Sequence, residues 1–389
     1  MTQQWLVRQV QTLAARRMAR VPRLQSAKPR PSSVPLWPPN IGRAVAFFGG
    51  VALVSYGTCA AISVRQSSRL DAPDEMPLGL VSFFTSRTSA DERLAVAKAH
   101  DDAYKLGTLM QRFKKSMDQL AVPQNIQEPL LSTYLWLSES WLELSPQKSA
   151  LAPIIAVNAC VFAAWHVPRL GAYMARWFVH RPCSGRVVTL LTSVYSHKSI
   201  GHFAFNNIAL WSIGSASLSV ASVSAAQHTP EASPMPHFFA FFATAGTFAA
   251  LVSHVAAAAR FRALSQRFGS RWRAITRSKP AAVLNVVGRG SLGSSGAVYA
   301  ALVLTALVFP QASVSLIFLP MTSVPIQWGV TGLVALDVLG LVRGWRMFDH
   351  AAHLGGALFG ALYYIMGPEA WEAAKRLSRK LADGRQLVE

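Results

Sequence analysis

Ser295 stands between two glycines in Gly293-Ser294-Ser295-Gly296-Ala297-Val298-Tyr299-Ala300, at the point where an apolar segment running to about Phe309 begins. The first backbone N–H groups of a helix have no intrahelical partner, and the helix dipole favours negative charge beside them. A serine placed there has oxyanion stabilisers at hand and becomes a nucleophile if a base can take its proton. Without a base it only caps the helix, and its glycines only permit packing. The base must come from elsewhere in the chain. His353 offers itself in Phe348-Asp349-His350-Ala351-Ala352-His353-Leu354-Gly355-Gly356, which opens another apolar segment. Small residues four apart, Gly296/Ala300 in one segment and Gly356/Gly360 in the other, let two helices approach closely. Such an approach can bring His353 within roughly 2.6–3.2 Å of Ser295. Tyr299, one turn beyond Ser295 on the same face, is placed to pack against the imidazole. A third stretch, His197 to Asn206, puts His202 and Asn206 on one helix face four residues apart. The chemistry these types support is acyl transfer: a serine nucleophile, a histidine base and donors for the oxyanion.

The elements that must position these groups are membrane helices. The chain has 389 residues, of which 51% are hydrophobic, and its mean hydropathy is +0.28. Long stretches almost free of charge recur, so the fold class is an all-α polytopic membrane protein. A net charge of +20 raises nucleic acid as a partner. The arginines, however, lie in a leader and in loops between apolar segments, as topology determinants do, and the reading is a lipid bilayer and no nucleic acid. Cys59, Cys160 and Cys183 define neither a disulfide framework nor a metal-ligand spacing. No glycine-rich phosphate loop is present, and no cofactor is implied.

Taken in order, residues 1–42 form an arginine-rich, acid-free leader with a Pro/Ser linker, the pattern of a mitochondrial transit peptide. Residues 43–65 make one transmembrane helix. Residues 66–149 are soluble in character and hold most of the chain's 18 acidic residues. Leu106, Met110, Phe113, Met117 and Leu120 there mark an amphipathic helix ahead of Pro123. The core, 150–367, holds six spans at about 150–167, 203–222, 236–259, 295–309, 327–341 and 351–367, and 368–389 is a tail. The connection from Pro168 to Arg186 reads as an interfacial amphipathic segment. Counting crossings, spans two, four and six start from one side, so His202/Asn206, Ser295 and His353 meet at one depth. Polar groups converging inside a membrane read as a site. That side also collects the basic loops, which predicts a matrix-facing site in a mitochondrial inner membrane and places 66–147 across it.

H-x-x-x-N in the second core span, G-x-S-G-x-x-Y opening the fourth and A-H-x-x-G in the sixth resemble a rhomboid intramembrane serine protease. The extra N-terminal span and the basic leader resemble its mitochondrial presenilin-associated branch, a one-plus-six layout. The resemblance implies that Ser295 and His353 form a catalytic dyad with no acid. It also implies an oxyanion hole from His202, Asn206 and the Ser295 N–H, and Tyr299 stacked on His353. Gly293 and Gly296 would open space for the peptide, and His197 would be structural, bonded to the first loop. Substrates would be single-span transmembrane proteins of the inner membrane; the oligomeric state is left open. Asp349 is too near His353 in sequence to serve as a third member, His350 is a packed neighbour, and Asp337 is a lone carboxylate without a role. Other readings are a rhomboid-like protein that binds transmembrane helices without cutting them, a metal or haem site built from His197, His202, His350 and His353, and a transporter with a midplane polar site.

Overall fold

The computed structural model describes residues 36–70, 90–218, 229–288, 290–316 and 319–386. Most of the expected transit peptide lies outside them. The first described helix is α1 (Ile41–Leu70), whose apolar run is bounded by Arg43 and Arg65. Two helices of the charged interlude follow, α2 (Ala90–Gln119) and α3 (Gln124–Leu142), as an antiparallel pair. The Tyr134 hydroxyl donates to the Leu106 carbonyl at 2.8 Å across that pair, and Phe113 packs on Tyr134. Pro123 stands before α3 and so separates the two helices, as its fixed φ and missing N–H dictate. Leu120 falls beyond the end of α2 and is exposed, so the expected apolar face is shorter by one turn.

The core helices are α4 (Pro146–Trp165), α5 (Ile200–Leu218), α6 (Met235–Phe268), α7 (Ser295–Val308), α8 (Ile326–Arg343) and α9 (His350–Gln386). By length and composition, α1, α4, α6 with its extension, and α8 can cross a membrane, while α7 is a shorter apolar helix. α7 stands in the middle of the bundle and buries Ala297, Ala300, Ala301 and Leu304 against Leu151, Ile154, Leu210, Phe238 and Phe242 of its neighbours. Burying that many apolar side chains in one cluster fixes the axis of α7 and hence the position of its first residue. α9 runs along α7 with no side chain between their backbones. A Cβ on Gly356 would collide with the Gly296 carbonyl oxygen, and one on Gly360 with that of Ala300.

Three features depart from the expected outline. A two-stranded antiparallel hairpin, β1 (Ser313–Leu316) and β2 (Leu319–Pro325), fills the link between α7 and α8, where β-branched and polar residues alternate. α9 does not stop at the expected start of the tail but continues through Pro368. Beyond it Trp371, Glu372 and Lys375 are buried; the Lys375 ammonium donates to Glu231 Oε1 at 2.7 Å, Glu372 Oε1 at 2.8 Å and the Thr229 carbonyl at 2.8 Å. Finally, α1 packs along α6 and α9. Ala44 meets Leu190 and Leu251 near its start, and Ala60 meets Ala240 and Trp371 near its end. The start of α1 therefore lies at the same end of the bundle as the first turns of α5, α7 and α9, and α2 with α3 lies at the other.

The glycine seam makes a direct prediction. Gly356→Ala should lower the thermal midpoint of the purified protein by several degrees, the scale expected for overpacking that costs about 1–3 kcal/mol. Gly332→Ala, on α8 with open space around its Cα, should leave the midpoint unchanged or raise it. Equal effects of the two substitutions would show that the seam is not tight.

Candidate active site

α7 begins with Ser295, and Ser294 occupies the cap position before it. The loop that delivers them is pinned at two points to the long connection after α4. His180 and Ser291 exchange two backbone hydrogen bonds of 2.9 Å, and the Gly293 N–H donates to the Ser193 carbonyl at 2.9 Å. Gly293 adopts φ +127°, and a Cβ there would lie 2.6 Å from His202 Cε1 and 2.7 Å from His202 Nε2. Only glycine meets both demands. At Gly296 a Cβ would collide with that of Ala249 on α6. The space left by each glycine is thus filled by protein, His202 in one case and Ala249 in the other. This corrects the expectation that Gly293 and Gly296 open room for a peptide: they set how closely helices and rings approach.

The two neighbouring serines have different surroundings. Ser294 is fully buried; its Oγ lies 3.1 Å from His197 Nε2 and 3.4 Å from Asn206 Oδ1, and its N–H donates to His197 Nε2 at 3.3 Å. Ser295 is only partly buried, and its Oγ lies 3.0 Å from His353 Nε2. His197, expected against the first loop, is directed through Nε2 to the residue next to the candidate nucleophile. Burial, and after it the neighbouring His202, pushes the His197 pKa down to about 3, so the ring is neutral near neutral pH.

His353 is held on three sides. Tyr299 stacks on it with ring centroids 4.6 Å apart and planes 13° from parallel. Ser295 faces its Nε2, and Asp337 Oδ1 lies 3.1 Å from its Nδ1. Asp337 is therefore not a lone carboxylate: its Oδ2 accepts from the Tyr299 hydroxyl, and its Oδ1 also faces His350 Nδ1 at 2.6 Å. No residue spacing pointed to it, since Asp337 comes from α8 while His353 comes from α9. Its signal was chemical, a carboxylate inside an otherwise apolar span. Asp349 has a separate task at the start of α9. Its Oδ1 accepts from the Ala352 N–H at 3.1 Å, as an N-cap does, and its Oδ2 from the Ser253 hydroxyl at 2.6 Å.

On the oxyanion side, Asn206 Nδ2 donates to the His202 carbonyl at 2.9 Å. A primary amide carries two N–H groups, so one remains for a ligand. The His202 ring lies over Gly293 and edge-on to His197, with centroids 5.1 Å apart. The four histidines of the metal reading do not share a focus. His197 is directed to Ser294, whereas His350 and His353 are directed to Asp337. Among the described residues, no three His, Cys, Asp or Glu side chains are grouped to hold a metal ion.

Comparison with known proteins covers most of this core. Residues 184–369 match the Rhomboid domain family. The chain is 27% identical over 343 residues to presenilin-associated rhomboid-like protein A, mitochondrial, of Danio rerio, across 88% of this chain and 74% of that protein. It is 32% identical over 234 residues to the human presenilin-associated rhomboid-like protein, mitochondrial, across 60% of this chain and 52% of the relative. Rhomboid protein 1, mitochondrial, of Saccharomyces cerevisiae is 26% identical over 219 residues, 56% of this chain and 52% of its own. The chain thus aligns with about half the length of these last two relatives.

The contrast between the serines is testable. A fluorophosphonate probe should label the wild-type protein and Ser294→Ala but not Ser295→Ala, and Ser294→Ala should be destabilised by about 1 kcal/mol through loss of its hydrogen bonds. Labelling that disappears with Ser294→Ala in a folded protein would exchange the assignments.

Proposed function

Because residues 184–369 match the Rhomboid domain family and the chain is similar to presenilin-associated rhomboid-like proteins, we propose that it is an intramembrane serine endopeptidase that cuts single-span proteins of the mitochondrial inner membrane. The observation that carries the proposal is the connected series Ser295 Oγ, His353 Nε2, His353 Nδ1 and Asp337 Oδ1, with contacts of 3.0 and 3.1 Å, at the first residue of a buried helix. The chain is a multi-pass mitochondrial membrane protein, in keeping with its acid-free arginine-rich leader and the names of its relatives.

His353 takes the Ser295 proton at Nε2 as Oγ attacks the scissile carbonyl. The carbonyl oxygen, now negative, is met by the Ser295 N–H and the α7 dipole, by the second N–H of Asn206 and by His202. The imidazolium formed on His353 is stabilised by Asp337, which also holds Nδ1 protonated and so presents a lone pair at Nε2. The arrangement assigned from sequence to a dyad thereby becomes a serine–histidine–aspartate series. His353 then returns its proton to the leaving amine, and water brought to the same base releases the acyl-enzyme. An intact substrate helix hides its carbonyls in its own hydrogen bonds, so the segment to be cut must unwind, and small or helix-breaking residues near the cut favour that.

Ser295→Ala and His353→Ala should each abolish cleavage of a tagged single-span substrate while leaving the protein folded, and the double variant should be no worse than either. Asp337→Asn should slow cleavage by roughly 100–10,000-fold, since the amide favours the wrong tautomer of His353. Asn206→Ala should slow it by roughly 10–1000-fold. Substantial cleavage by Ser295→Ala would reject the proposal.

The site shares its end of the bundle with the start of α1, and the basic loops there direct it to the matrix. Cys183 is buried at 1% exposure and cannot report on this. Ser270→Cys and Ser116→Cys, both at exposed positions, can. In mitoplasts an impermeant thiol reagent should modify Ser116→Cys and spare Ser270→Cys; the reverse would invert the orientation.

A further inference from the structure

His350 was read from sequence as a packed neighbour, and its surroundings are those of a fixed hydrogen-bond donor. The ring is buried at 5% exposure, and its Nδ1 lies 2.6 Å from Asp337 Oδ1, nearer than the 3.1 Å of His353 Nδ1 to the same oxygen. Its other nitrogen, Nε2, is buried and has no hydrogen-bond partner among the described residues. That side of the ring rests on Gly340 of α8, where a Cβ would come within 2.5 Å of Nε2. Trp345 and Phe348 also lie beside the ring, with ring centroids 6.3 Å away.

These contacts distinguish two histidines that share one carboxylate. A neutral imidazole has one N–H and one lone pair. With the N–H at Nδ1 facing Asp337, the enclosed Nε2 of His350 is an acceptor without a donor, which is tolerable. His350 is therefore the fixed donor of the pair, with its Nδ1 directed at Asp337 Oδ1. His353 differs in one respect: its Nε2 faces the Ser295 hydroxyl, which can supply a proton. Of the two rings, His353 is the one that faces a hydroxyl.

We propose that His350 is a positioning residue, acting through Asp337, whose donor bond fixes the carboxylate so that Oδ1 meets His353 Nδ1 while the missing side chain of Gly340 leaves room for the ring. The proposal rests on the serine-protease reading above. Tyr299 restrains Oδ2 and His350 restrains Oδ1, so the carboxylate has little freedom to turn away from the base. Fixing a polar group from the layer behind it is worth about 10–100-fold in comparable sites.

The test uses the full chain in liposomes with a tagged single-span substrate, and reads kcat, KM, thermal midpoint and fluorophosphonate labelling. His350→Leu keeps bulk and removes the donor; His350→Asn places an amide N–H near the position of Nδ1. His350→Leu should lower kcat by about 10–100-fold at unchanged KM. His350→Asn should recover most of that loss, although both variants lose the same ring packing. In combination with Asp337→Asn, His350→Leu should add nothing, because it acts through that carboxylate. Equal kcat for the Leu and Asn variants, or an additive double variant, would overturn the proposal. If His350→Leu does not fold, Gly340→Ala serves, since it displaces the ring without altering it: a wild-type kcat there would also overturn the proposal. A wild-type protein that neither cleaves nor labels would instead reject the protease reading, and this inference with it.

Discussion

The contact on which the site depends is the seam where α9 lies against the backbone of α7. Gly356 sits on the Gly296 carbonyl and Gly360 on that of Ala300, so no side chain separates the two helices. Ser295 and His353 project from the first turns of these helices, and their 3.0 Å contact follows from that separation. A single methyl group in the seam would push the helices apart by more than a hydrogen bond can stretch. In a bilayer the hydrophobic effect does not press helices together, since lipid tails are as apolar as leucine. Close packing of small residues has to do so. The same glycines that allow the bundle to assemble therefore also set the distance between Ser295 and His353.

The second constraint is electrostatic. A carboxylate on an apolar helix is costly unless its lone pairs are met. Asp337 is met by Tyr299, His350 and His353, which come from α7 and α9. Three helices are thereby joined at one group. α8 is otherwise loosely engaged, with Leu333, Leu336, Leu339 and Val342 exposed along its length. Its polar attachment to the site is concentrated at Asp337, so the loosely packed helix still presents its carboxylate in one place. Satisfying the buried carboxylate and orienting His353 are one and the same set of bonds.

Much of this was legible in the residues. The spans announced themselves as apolar runs, and the positions of Ser295, His353, His202 and Asn206 near the starts of alternate spans predicted that they share one end of the bundle. The small-residue spacing predicted which helices touch. What spacing could not reveal was any relation between residues on different helices that share no pattern. Asp337 and Gly340 lie on α8 at no special interval from His350 or His353, and the partnership is created by tertiary packing. The same holds for Ser294, whose hydroxyl is next in sequence to that of Ser295 yet turns towards His197. The roles of Gly293 and Gly296 were also out of reach, because what fills the place of a missing Cβ depends on a neighbour such as Ala249. Lys375 lies in the stretch read as a tail, and only the continuation of α9 past Pro368 buries it.

That continuation bears on the site from the far end of the molecule. α9 carries His353 in its first turn and Trp371, Glu372 and Lys375 in its later part, on one unbroken helix. At the far end Trp371 Nε1 donates to Glu231 Oε1 at 2.6 Å and Lys375 is paired with Glu231 and Glu372. Buried ion pairs add little net stability, because desolvation offsets their attraction, but they tolerate only one register. A helix fixed in register at that end and held by the glycine seam near its start cannot slide along its axis. It would have to break the ion pairs or lift Gly356 off Gly296. Glu231 is in turn joined to the other elements at that end: its N–H donates to Asp91 of α2, and the next N–H, of Ala232, donates to Ser67 of α1. The elements outside the catalytic core are therefore connected to His353 through the rigid length of α9, and the histidine's height above Ser295 is determined at both ends of the bundle.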